Sequence, residues 1–377
     1  MSRTKTFVFY ALSLLVMFAV FEVFASTILI YLYRFHGTVS AEHENAPLSS
    51  MVFLSKVFDA LRGEAGVEVD PEQTTVEPKP YFIEDPKIGY YTPPGKYTMT
   101  FRRRYNKFSQ YEYLKAKLTF ADDSTRWTGD TWKSTGNTIY VFGDSYIFGY
   151  GVNDEQTFSY LLRQSLKNTN VKLVANAGYS LIQAFINFER IKNDIGENDI
   201  IILGYADFYK PRHVAAPSWT KEWGEPPPFM PSNLTYPKAS LDANANIQIG
   251  HAPLYCKFNP DYCQQADPPQ EEQDKVTTAL INHIARNTRA KVYLLHIHEA
   301  PGDQVLKLID KNISIISALP RDFDYLIMDD ILGFDPHPGP WWHYAMFKKL
   351  AETLPQATPG VAVDENTRRG RRADGQD

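Results

Sequence analysis

Residues 137–151 read NTIYVFGDSYIFGYG. Thr138 to Phe142 is a short apolar, β-branched and aromatic run, which is strand material. It exits through Gly143 and Asp144 directly onto Ser145. A glycine at that exit permits a tight turn, and a serine after it stands at the rim of whatever sheet the strand joins. Two readings stay open for this stretch alone: a strand-to-helix turn capped by Asp144 and Ser145, or a nucleophile presented at a sheet edge.

Outward from this point the pattern alternates. EQTFSYLLRQSL (155–166) has helical apolar spacing, VKLVANAG (171–178) is strand-like, LIQAFINFERIKN (181–193) is helical and DIIILGYAD (199–207) is again a strand. A long insertion, 210–270, interrupts the series. It resumes with helix 277–288, strand 290–298, helix 304–312, strand 324–331 (DYLIMDDI) and helix 341–354. Five apolar strands between amphipathic helices predict a five-stranded parallel sheet in a three-layer α/β/α fold. Ligands of such sheets bind beyond the carboxyl ends of the strands. The residues to interrogate are therefore Gly143–Ser145, Asn176–Gly178, Gly204–Asp207 and the loop after the fifth strand. That loop, GFDPHPGPWWH (333–343), places Asp335 two residues before His337 between prolines. A carboxylate so close can orient one imidazole, and the imidazole can activate a hydroxyl.

The ordered set GDS, N-x-G, G-x-x-D and D-x-H-P over about residues 137–353 resembles the SGNH (GDSL-type) hydrolase superfamily. The stretch DSYIFGYGVNDEQTFSYLL is similar to members of bacterial envelope and exopolysaccharide systems. The resemblance implies a flavodoxin-like fold with Ser145 as nucleophile, His337 as general base and then acid, and Asp335 holding the imidazole. The backbone N–H groups of Ser145 and Gly178 would be oxyanion donors, with Asp144 and Asp207 as further oxyanion- or substrate-binding candidates. In the third block the family's asparagine donor is replaced by Ala206 or Asp207. Alanine cannot donate and an ionised aspartate repels an oxyanion, so Tyr205, Tyr209 or a loop amide would have to substitute. The implied activity is an esterase or deacetylase acting on acyl esters, O-acetyl above all, of a carbohydrate. An O-acyltransferase using the same triad, or a fold that kept only binding, are the alternatives. No cofactor and no metal is implied.

The net charge of -5 gives no basic footprint for nucleic acid, and 44% hydrophobic residues exclude a disordered chain. Residues 7–33 are apolar except for Ser13, Glu22, Ser26 and Thr27, long enough to span a bilayer as an uncleaved anchor. Arg3 and Lys5 precede the span, which predicts a cytoplasmic N-terminus and an extracytoplasmic (periplasmic) body at the inner membrane. In that oxidising setting Cys256 and Cys263 are expected to pair. The expected organisation is an anchor (1–36), a juxtamembrane segment and linker (37–100), a β extension (101–136), the hydrolase-like domain (137–353) and a polar tail (354–377). Within the second segment, a short helix around 51–63 and a linker at 68–80 are expected. His343 is read as packing, and His296 and His298 as buried or rim contacts rather than metal ligands. Trp219, Trp223, Trp341 and Trp342 are either sugar-stacking or core residues.

Overall fold

The structure, a computed structural model, describes Met17 and residues 73–106, 109–130, 137–166, 168–223, 226, 230–231, 233–298, 303–319 and 337–357. The chain divides into two compact units, 1–69 with 323–327 and 70–322 with 328–377; Met17 apart, the described residues belong to the second. The expected span 7–33 (Met17 apart), the helix at 51–63, the strand at 324–331 and residues 358–377 of the tail expected at 354–377 lie outside the described residues, while residues 354–357 are helical. Among the described residues no helix is long and apolar enough to cross a membrane.

In chain order the strands are β1 (Gln73–Glu77), β2 (Ile83–Asp85), β3 (Gly89–Tyr91), β4 (Gly95–Asn106), β5 (Ser109–Phe120), β6 (Thr138–Gly143), β7 (Asn170–Ala175), β8 (Ile200–Ala206), β9 (Thr235–Leu241), β10 (Ile247–Pro253), β11 (Lys291–His298) and β12 (Ser314–Ser317). The α-helices are α1 (Ser145–Phe148), α2 (Phe158–Ser165), α3 (Leu181–Ile191), α4 (Lys210–His213), α5 (Pro217–Trp223), α6 (Gln270–Arg286), α7 (Val305–Leu308) and α8 (Pro340–Ala357).

A five-stranded parallel sheet has the order β12-β11-β8-β6-β7. The central strand β8, IIILGYA, is buried at every position, as a strand covered on both faces must be. From β6 the chain steps one way to β7, then crosses back to β8 and on to β11. Right-handed crossovers put α2 on one face and α3 and α6 on the other. α2 packs against α8, and α3 against α6. The direction reverses between β6 and β8, the place where such sheets bind ligands, and Ser145 follows β6 at its carboxyl end.

Beside β11 lies Ser314–Ser317, a strand the sequence reading did not mark, reached after only a one-turn helix; the expected strand 324–331 lies outside the described residues. One expectation is corrected. The stretch 68–80, expected to be a linker, holds β1, which pairs antiparallel with β4 in the sheet β1-β4-β5. Its Thr-Thr-Val run is β-branched and Val76 is fully buried, which outweighs the flanking prolines. The insertion carries α4, α5 and the antiparallel hairpin β9–β10, and Cys256 and Cys263 are joined by a disulfide.

Candidate active site

Gly143 closes β6 and has no room for a side chain. A Cβ there would lie 2.4 Å from Cβ of Ile147, and one on Gly204 of β8 would lie 2.3 Å from Cγ1 of the same residue. The two glycines form a notch that seats Ile147, and so α1, down on the sheet. Asp144 caps α1: its Oδ1 accepts the N–H groups of Tyr146 and Ile147, each at 3.1 Å. Ser145 is the first residue of α1 and is buried at its start. The turn after α1 is held by Arg126, a buried guanidinium that donates to the carbonyls of Phe148, Gly149 and Val152 and pairs with Asp154 at 3.0 Å.

His337 comes from 192 residues further along the chain, and its Nε2 lies 2.9 Å from Ser145 Oγ. The imidazole stands beside Tyr146 and Tyr150, with ring centroids 5.3 and 4.7 Å away. Both tyrosines belong to the segment that carries the serine, so one short stretch supplies the hydroxyl and the walls of the base. Asp335 lies outside the described residues.

Gly178 adopts φ +76°, the left-handed region, and a Cβ would meet the Tyr90 hydroxyl at 2.3 Å. Its loop is clamped by residues the sequence did not single out. The Tyr90 hydroxyl donates to the Ala177 carbonyl (2.8 Å), and the Tyr236 hydroxyl donates to the Gly178 carbonyl (3.0 Å). Tyr90 belongs to β3 and Tyr236 to β9, both outside the αβ alternation, and no local pattern marks either as a clamp. Asn176 is spent internally, donating to Thr92 Oγ1 (2.9 Å) and accepting the Ala177 N–H (2.9 Å).

The Asp207 carboxylate faces the β11 side, 2.5 Å from Nδ1 of the half-exposed His298. Tyr205 donates to Asp303 at 2.8 Å, and Asp303 also takes Lys210, which pairs with Asp274 at 2.8 Å. Tyr205 is therefore already committed, and burial, with the Asp303 charge adding, pushes its hydroxyl far up. His296 is buried and stacked on Tyr205, 5.7 Å between centroids. His343 is fully buried against Phe158, and burial lowers its imidazole to about 3, so it packs as a neutral ring. Trp219 and Trp342 are buried core residues, Trp223 borders Gly178, and the Trp341 side chain lies outside the described residues.

Burial pushes the Asp144 carboxyl up to about 6, against the opposing pull of Arg212, the Ile147 N–H and His337. A folded-state value raised above the unfolded one stabilises the fold at low pH, and that stability is lost as pH rises towards 6. Asp144→Asn keeps the cap and removes the titration. It is expected to equal the wild type in stability near pH 4 and to exceed it by about 3 kcal/mol above pH 6. Urea unfolding at the two pH values measures this, and a difference that does not change with pH would contradict it.

Comparison with protein-family models and with curated protein sequences finds no match. Among solved structures the chain is similar to a member of the lipolytic protein G-D-S-L family from Veillonella parvula, at 14% identity and TM-score 0.34, covering 58% of this chain and 98% of that one. It is similar to TesA at 12% identity and TM-score 0.34, with 58% and 98% covered. It is also similar to the psychrotrophic esterase EstA from Pseudoalteromonas sp., inhibited by monoethylphosphonate, at 13% identity and TM-score 0.34, with 59% and 98% covered.

Proposed function

We propose that the chain is an SGNH-type serine esterase that removes acyl groups, O-acetyl above all, from an envelope or extracellular carbohydrate. The observation that carries this reading is the 2.9 Å approach of His337 Nε2 to Ser145 Oγ at the carboxyl end of β6. A serine hydroxyl is a weak nucleophile until a base takes its proton, and an imidazole within hydrogen-bond reach is that base.

In the proposed reaction Ser145 Oγ bonds to the acyl carbon while its proton passes to His337. The carbonyl pair moves onto oxygen, facing the backbone N–H groups of Ser145 and Gly178. Collapse expels the alcohol, which takes the proton from His337 and leaves an acyl-serine. Water, deprotonated by His337, then releases the acid and restores the hydroxyl. Asp335 would orient the imidazole.

The site of action proposed is the outer side of the inner membrane, with residues 7–33 as anchor. Two features support it: the predominantly apolar length of that segment, and the disulfide Cys256–Cys263, which persists in oxidising compartments.

A fluorophosphonate probe tests the central claim. Wild-type protein is expected to be labelled on Ser145, with Ser145→Ala unlabelled. Absence of labelling in the wild type, or equal labelling of both, would remove the nucleophile. Acetate released from an O-acetylated polysaccharide supports hydrolysis; acetyl groups appearing on an acceptor sugar would make the protein a transferase.

A further inference from the structure

The turn that follows β8 divides its three side chains between core and solvent. Asp207 and Tyr209 are buried, and Phe208 between them is 38% exposed. An isolated exposed ring is ordinary, but this one stands beside the nucleophile's helix. Its centroid lies 5.8 Å from that of Tyr146, the residue after Ser145, and 5.0 Å from the imidazole of His298 at the end of β11. Tyr146 in turn stands 5.3 Å from His337. The rings of His337, Tyr146, Phe208 and His298 thus form a row that starts at the base and crosses the carboxyl ends of β6, β8 and β11. These strands are neighbours in the sheet, and at about 4.8 Å per strand the row covers about 10 Å of its rim. All four rings reach solvent: Tyr146 and His337 are half-buried, and the His298 side chain is 47% exposed.

The far end of the row is polar and held in place. The buried Asp207 carboxylate lies 2.5 Å from His298 Nδ1. An ionised carboxylate offers only lone pairs, so the proton of this bond belongs to Nδ1, which sets the tautomer and the tilt of the ring. Nε2 bonds to no group among the described residues and is left for a ligand. It accepts from a hydroxyl when the ring is neutral and donates to one when the ring is protonated. An alkyl chain laid along the row would cover that nitrogen and give it no partner. A sugar ring suits both ends. The C–H groups of its face settle on the electron-rich face of an aromatic ring, and the hydroxyls at its edge reach a fixed imidazole.

We propose that Phe208 is the platform on which the alcohol side of the ester, a sugar ring, stacks, and that His298, held by Asp207, takes one of that sugar's hydroxyls. This deepens the esterase reading and rests on it: the acyl group sits at Ser145 and the carbohydrate runs outward over Phe208 towards β11. Both residues act through binding, and neither moves a proton in the reaction. Asp207 is a positioning residue for the imidazole.

The test uses the purified full chain and follows acetate release from two kinds of acetyl ester. One is ethyl acetate, whose alcohol has no ring; the other is a panel of partially O-acetylated xylan, mannan and alginate. The wild type is expected to favour at least one polymer over ethyl acetate by about tenfold or more in kcat/KM. Phe208→Ala and His298→Ala are each expected to cut that preference about tenfold, through KM for the polymer. Phe208→Trp keeps a flat ring and is expected to hold the preference within about threefold, whereas Phe208→Leu, apolar but not flat, is expected to lose it as Phe208→Ala does. A packing role alone would not set the tryptophan and leucine variants apart. No preference for any polymer, a preference that survives either alanine substitution, or equal behaviour of the tryptophan and leucine variants would each overturn the assignment. So would a Phe208→Ala loss that falls on ethyl octanoate rather than on the polymer, which would make the row an acyl groove. A Ser145→Ala arm separates the two readings. Serine-dependent turnover without the expected preference removes only this inference, whereas turnover unchanged in Ser145→Ala removes the esterase reading with it.

Discussion

Replacing His337 by alanine is expected to lower kcat for a small ester by about 10⁴-fold or more while KM stays within a few-fold. The reason is local. At 2.9 Å from Oγ the imidazole is the group placed to receive the serine proton. Its ring neighbours, Tyr146 and Tyr150, offer phenol hydroxyls, which are far weaker bases at neutral pH. Substrate contacts made elsewhere survive the substitution, so binding is spared and the chemical step is not. Phosphonate labelling of Ser145 should slow in parallel, because it uses the same deprotonation. Steady-state kinetics on the purified variant decides the matter, and a kcat within tenfold of wild type would show that His337 is not the base.

The second large effect is steric. A methyl group added at Gly204 would lie 2.3 Å from Ile147 Cγ1 and 2.8 Å from its Cδ1, closer than real carbon contacts allow. Gly204→Ala is therefore expected to lift α1 from the sheet and to cost about 1–3 kcal/mol through overpacking. Because Ser145 heads that helix, its Oγ moves relative to an imidazole anchored by a distant segment. A misplacement of about 1 Å costs on the order of 100-fold in rate. Ile147→Ala combined with Gly204→Ala should recover most of the lost activity, since the truncated side chain vacates the notch that the new methyl needs. Measuring kcat and thermal stability for the two single variants and the double variant gives the coupling directly. If the double variant is as impaired as Gly204→Ala alone, the notch is not what seats the serine.

Several parts of this protein were legible along the chain. The runs ending at Gly143, Ala175, Ala206 and His298 form parallel strands, because dense apolar β-branched segments between amphipathic helices have few other ways to bury both faces. Ser145 at a strand exit and His337 in a proline-framed loop were also readable, since each is marked by its immediate neighbours. The edge strand was not. ISIIS at 313–317 is too short and too polar to stand out by composition, and only pairing with β11 reveals it. The tryptophans were equally ambiguous: an indole looks the same in sequence whether it is core, as Trp219 and Trp342 are, or rim.

By itself, then, the order of residues determined the layered α/β body and the chemical types at its rim, because periodicity and turn chemistry act over a few residues. Only the tertiary structure decided which groups meet. It set His337 against Ser145, turned Asp207 towards His298, and clamped the Gly178 loop with Tyr90 and Tyr236. Those outcomes depend on side chains brought together across long stretches of sequence, and hydrogen bonding and close packing act on distance in space rather than on spacing along the chain.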